Sequence, residues 1–140
     1  MCDFLRKLFG GSSPTIERPS PKIRITPQLA DDIIKAVQKI PGMENCFIAG
    51  IAPTNSMEPT LDDGMYIILQ PVQFTDLIAG DIIMYETPYF NQGNPVLHRI
   101  IEIGFDTERY ATAKGDNNAV ADNVKISTDQ VKGVWRITIA

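Results

Sequence analysis

The sequence predicts a mainly β domain, a curved antiparallel sheet or partly open barrel led by one helix. Three observations carry this. Six short segments rich in Ile, Val and Tyr recur from residue 46 onward. Turn chemistry separates them. A single amphipathic helical pattern precedes them. Even spacing of short strands after one helix suits a barrel-like β fold.

The helix is read from Thr26, a good N-cap, and Pro27, which suits the first helical position. Leu29, Ile33, Ile34, Val37 and Ile40 then recur at helical spacing. Asp31 and Asp32 lie towards the N-terminus and Lys35 and Lys39 towards the C-terminus, as the helix dipole favours. Pro41-Gly42 stops the run. The strand segments follow: CFIAGIA (46–52), GMYIILQ (64–70), DIIMYE (81–86), VLHRIIEIG (96–104), ERYATAK (108–114) and VKGVWRITI (131–139). Asp62-Asp63-Gly64, Ala79-Gly80-Asp81, Asn91 to Pro95 and Gly115 to Asn118 mark turns. Met65, Tyr66, Ile67, Ile68, Ile82, Ile83 and Trp135 are the expected core.

Residues 1–22 are expected to form a flexible basic arm and linker, and 23–140 the folded domain. The first 25 residues carry about +3 and the remainder about −7 of the net −4. Residues 10–22, GGSSPTIERPSPK, read as a linker. Before them Phe4, Leu5, Leu8 and Phe9 flank Arg6 and Lys7, either a frayed terminus or small patch packing on the domain, or a peripheral membrane contact or partner-docking peptide through residues 1–9. No stretch reaches the roughly 18–20 apolar residues that cross a bilayer, and no secretory leader is visible. The expectation is a cytoplasmic chain without a transmembrane segment, peripheral at most.

The mildly acidic balance argues against nucleic acid as a partner. The single histidine, His98, excludes any site that needs two, and Cys2 and Cys46 are too few for a thiolate zinc site. No metal and no cofactor is expected.

Three segments carry the candidate chemistry. In PTNSMEPTLDDGMYIIL (53–69), Pro59 disfavours helix at Glu58, so Ser56 begins a loop leaving a strand. In VLHRIIEIG, alternation puts Val96, His98 and Ile100 on one face and Leu97, Arg99 and Ile101 on the other. KGDNNAVADN (114–123) holds two carboxylates, Asp116 and Asp122, around a turn; it lacks the ligand spacing of a calcium loop.

Taken together, S-M-E-P-T-L with its Asp-Gly turn, G-D-I-I, H-R-I-I and K-G-D-N-N…D, in this order over residues 46–139, resemble type I signal peptidases and their LexA/UmuD-type self-cleaving relatives. The resemblance implies that fold and a serine endopeptidase acting on a peptide or protein substrate. Ser56-Met57 match the nucleophile box. Bacterial members place a lysine where this chain has His98; archaeal and endoplasmic-reticulum-type members place a histidine there. His98 is therefore the implied general base, which a serine hydroxyl needs to become a nucleophile. Asp122 matches the last carboxylate of the box and is the first choice to orient the imidazole; Asp116 is the second. Ala121 stands where the family often has another acid. The implied oxyanion hole uses the Ser56 N–H and the Thr54 hydroxyl. Lys114 matches the lysine of the box rather than a base, and Arg99 is expected to support the fold.

Two other functions compete. A UmuD-like self-processing protein would cut an Ala-Gly or Cys-Gly bond upstream of the nucleophile. Ala49-Gly50 is the sole Ala-Gly there and lies in the strand feeding Ser56, while Gly10-Gly11 is a poor match. A non-catalytic binding module would have no need of Ser56, His98 and both aspartates. Strand edges near Ser56 are expected to accept an extended substrate. Oligomeric state is not legible.

Overall fold

Thr26 adopts extended backbone and its hydroxyl accepts from the Leu29 N–H at 3.1 Å, capping helix α1 (Pro27–Val37). This computed structural model describes residues 25–140; the expected basic arm (1–22) and its membrane-contact segment (1–9) lie outside the described residues. Ala30, Ile34 and Val37, spaced at four and three residues, form the buried stripe. The expected apolar face was wider. Leu29 is 46% exposed, and Ile40 is 50% exposed because the helix has already ended at Val37. The stripe packs on Cys46 and Ile68. Asp31 pairs with Lys35 one turn on, at 2.7 Å on the surface.

The six expected strands all form. They are β1 (Phe47–Gly50), β2 (Tyr66–Gln70), β3 (Ile82–Tyr85), β4 (Val96–Phe105), β5 (Arg109–Lys114) and β6 (Val131–Ile139). They make one curved, open antiparallel sheet in the order β1-β2-β6-β3-β4-β5. The last strand therefore inserts between β2 and β3, with Ile68 opposite Ile137 and Ile83 opposite Val134. Gly64, Gly80 and Gly93 take the positive φ that the intervening turns require.

The sheet is covered on both faces over β2, where Ile67, Ile68 and Leu69 are all fully buried. That explains why this strand reads as a continuous apolar run rather than an alternation. On one face Met57, Leu61, Ile67, Leu69 and Ile82 pack together, with Trp135 and Leu97 at the margin. On the other, Ile83, Tyr85, Val96, Ile100, Ala111, Ala113, Ile126 and Val134 form the larger core. Met65 is buried as expected, while Tyr66 and Trp135 are only partly so.

Curvature brings the site together. β1 and β4 are four strand positions apart in the order, about 19 Å across a flat sheet at ~4.8 Å per strand. Yet the loop that leaves β1 touches the middle of β4, where His98 meets Ser56.

Candidate active site

Ser56 sits half-buried in the β1–β2 loop. Asn55 precedes it at φ +59°, a left-handed conformation that asparagine tolerates better than most residues. The turn after β5 staples this loop. The Asn117 backbone N–H donates to Ser56 O at 2.8 Å, and Asn117 Nδ2 donates to Asn55 O at 3.0 Å. Gly115 must be glycine for this approach: a Cβ there would lie 2.6 Å from Ser56 O.

His98 lies on β4 opposite Ile83 of β3, facing the larger core with only 6% of its surface exposed. Its Nε2 stands 3.1 Å from Ser56 Oγ, and its Nδ1 stands 2.7 Å from Asp122 Oδ2. Asp122, also buried, is held by its backbone N–H bond to Ala113 O at 2.8 Å.

These partners fix the tautomer. An ionised carboxylate only accepts, so Nδ1 donates to Asp122. In the neutral ring Nε2 is then an acceptor, and the Ser56 hydroxyl donates to it. Thr54 Oγ1 lies 3.0 Å from Ser56 Oγ; with the serine proton committed to His98, the threonine hydroxyl donates to the serine oxygen. The Ser56 N–H makes a long bond of 3.4 Å to Thr54 Oγ1. A neutral imidazole poised on a hydroxyl, with a buried carboxylate behind it, can take the proton as the oxygen attacks and hold the resulting imidazolium.

Asp116 is placed differently. Its carboxylate receives two bonds from the Arg99 guanidinium, Nε to Oδ1 at 2.9 Å and Nη2 to Oδ2 at 2.8 Å, and a third from Thr60 Oγ1 at 2.6 Å. The bond from Arg99 holds the Asp116 carboxyl below its ordinary range, against the opposing effect of burial, and Thr60 adds to the lowering. Arg99 Nη1 also reaches Gly80 O at 2.8 Å. Arg99 thus ties the G-D-I-I turn to the K-G-D-N-N turn from the face of β4 opposite His98. Lys114 Nζ donates to Gly115 O at 3.1 Å. Met57 is buried among Leu61, Ile67 and Ile82, and its sulfur accepts from the Asp116 N–H at 3.4 Å. Its contacts anchor the loop from below while its side chain still lines the cleft.

That cleft has a volume of about 400 Å3 and runs from Ser56 and His98 along Ile51, Leu61, Met84 and Leu97. Its lining is largely apolar. One wall is Ala49 to Ala52, the end of edge strand β1 and the two residues that follow it. Among the described residues no cluster of His, Cys, Asp and Glu has the grouping of a metal site. No helix among them is long and apolar enough to cross a membrane.

Residue-by-residue reading missed three contributors. Thr60 and Asn117 act through turn contacts that have no periodicity to betray them. Tyr85 donates its hydroxyl to Asp122 Oδ2 at 2.7 Å. A polar-tipped aromatic in an otherwise aliphatic strand, two residues from the partner of His98, was the available signal.

Comparison with known proteins gives a distant similarity. The chain is 30% identical over 84 residues to Signal peptidase I W of Bacillus subtilis (strain 168), a stretch covering 59% of this chain and 43% of that protein. The chain therefore spans less than half the length of this relative. No family model matches the sequence. The similarity supports a signal peptidase I-like relationship and, coarsely, a peptidase.

Proposed function

We propose that this protein is a serine endopeptidase of the signal peptidase I type, with Ser56 as nucleophile, His98 as general base and Asp122 as the orienting carboxylate. The observation that carries the reading is the His98 ring, 3.1 Å from Ser56 Oγ on one nitrogen and 2.7 Å from Asp122 on the other.

The Ser56 oxygen attacks the scissile carbonyl while its proton passes to His98 Nε2. The C–N bond then breaks, and His98 returns the proton to the departing amine, leaving an acyl ester on Ser56. Water repeats the sequence: it gives a proton to His98, attacks the ester, and frees Ser56 as its oxygen regains that proton. The Ser56 N–H and the Thr54 hydroxyl are the donors proposed for the oxyanion. An extended peptide lies along β1, its side chains entering the apolar cleft.

Residues 1–9 supply a peripheral membrane contact in this proposal, tested by liposome flotation of the full chain against a chain lacking residues 1–22. Self-processing at Ala49-Gly50 finds no support, because both residues are paired in the sheet with Ile67 and Tyr66 of β2. The test of the main reading is mass-spectrometric digestion of a peptide library by wild type, Ser56→Ala and His98→Ala. Cleavage by wild type alone is expected; cleavage that survives both substitutions would discard it.

A further inference from the structure

Tyr85 is a side chain next to the His98–Asp122 pair whose chemistry the proposed reaction leaves unused. It is completely buried in the larger core, yet its hydroxyl ends on the same carboxylate oxygen that His98 engages. Both bonds to Asp122 Oδ2 measure 2.7 Å. Tyr85 lies on β3 opposite Val96, and His98 lies opposite Ile83, so the two are diagonal neighbours on one sheet face.

We infer that Tyr85 is a positioning residue, whose hydroxyl fixes the Asp122 carboxylate and moderates the charge it presents to His98. The inference rests on the proposed peptidase reading for its kinetic consequence, but its electrostatic consequence is independent of catalysis. A donor on Asp122 Oδ2 disperses the negative charge that stabilises the imidazolium. It stabilises the carboxylate beside a neutral ring more than the carboxylate already neutralised by a charged one. Removing the donor therefore favours the imidazolium and makes His98 hold its proton more tightly. It also frees the carboxylate to rotate. The phenol itself is pushed well above its ordinary range, chiefly by burial and then by Asp122, so it remains a donor at every working pH.

The other charged groups nearby are engaged elsewhere. Arg99, next to His98 on β4, is turned to Asp116. Lys114, opposite Arg99 on β5, bonds to Gly115 O. Asp62, at the entry to β2, lines the cleft with His98 and accepts from the Asp63 N–H. None of these contacts involves Tyr85.

The experiment uses the single histidine of the chain. His98 is titrated by NMR in full-length wild type and Tyr85→Phe, which keeps the ring. The expected result is an upward move of the titration midpoint by roughly half a unit to one unit. Site-specific 3-fluorotyrosine at position 85, a stronger donor of nearly the same shape, moves it the opposite way. On a cleaved peptide, Tyr85→Phe shifts the acid limb of kcat/KM upward by the same amount. It lowers kcat about tenfold with KM little changed, as for a mispositioned base.

Identical His98 titration in all three proteins would overturn the inference and leave Tyr85 as core packing. Should Tyr85→Phe fail to fold, the fluorotyrosine protein alone decides. If no peptide is cleaved, the peptidase reading fails, while the NMR comparison still decides the role of Tyr85.

Discussion

Arg99 of β4 grips Asp116, in the turn after β5, through two parallel bonds, Nε to Oδ1 at 2.9 Å and Nη2 to Oδ2 at 2.8 Å. This fork geometry is one that lysine cannot reproduce. Arg99→Lys is therefore expected to behave as a loss, destabilising by about 1–2 kcal/mol in urea melts. The pH dependence has a definite sign. The folded-state pKa of Asp116 lies below its ordinary 3.8, through its bond from Arg99. The clamp's contribution is full above the unfolded value and is lost as pH falls through the lower folded value. Asp116→Asn should flatten the stability profile below about pH 4; an unchanged acid slope would contradict this account.

Gly115→Ala tests the close approach of the two loops. Its Cβ would meet both Ser56 O and Asn118 Nδ2 at 2.6 Å, and the first of these is backbone that has no side-chain freedom to turn aside. The bond from the Asn117 N–H to Ser56 O at 2.8 Å must lengthen. A displacement near 1 Å at the proposed nucleophile costs about a hundredfold in rate, so kcat should fall on that order while thermal stability drops by a few degrees. Full activity in this variant would mean that the serine loop is not held from this side.

Most of the fold was legible because each strand announces itself locally. β2 through β6 combine branched or aromatic residues with Gly, Asp or Asn turns, and Thr26-Pro27 starts the helix by the rules of capping. The width of the helix face was not legible, since Leu29 stays exposed and Ile40 lies beyond the end of the helix at Val37. At the site, Ser56, His98 and the two aspartates were marked by resemblance of their motifs. Which aspartate meets the imidazole depends on the path of the chain after β5. The bond between the Asp122 N–H and Ala113 O turns that carboxylate towards His98, and Arg99 holds the other. No local pattern encodes either contact. Tyr85 was hidden for a related reason: its ring belongs to the core, and only its hydroxyl reaches the site.

The two aspartates should separate cleanly on substitution. Asp122→Asn leaves an amide 2.7 Å from His98 Nδ1, which can present its own N–H and favour the wrong tautomer. A kcat loss of about 10³–10⁴ is expected, with KM nearly unchanged. Asp116→Asn touches Arg99 and Thr60 instead, so its kcat loss should stay within about tenfold. The reverse ranking would transfer the orienting role to Asp116.

Thr54 makes the sharpest kinetic prediction. Its hydroxyl lies 3.0 Å from Ser56 Oγ and 3.4 Å from the Ser56 nitrogen, while His98 Nε2 holds the same Oγ at 3.1 Å. In the resting protein it donates to the serine oxygen. In the proposed reaction that oxygen bonds to carbon, the carbonyl oxygen becomes negative, and the same proton can swing towards the new charge. The interaction is then stronger in the transition state than in the ground state, which is the condition for raising kcat. Thr54→Val keeps the branched shape and deletes the donor, so kcat should fall by about 10²–10³ with KM almost unaffected. Thr54→Ser keeps the donor and should retain most of the rate. Equal losses in Val and Ser variants would instead trace the effect to the missing methyl contact or the loop backbone, and Thr54 would drop out of the oxyanion site.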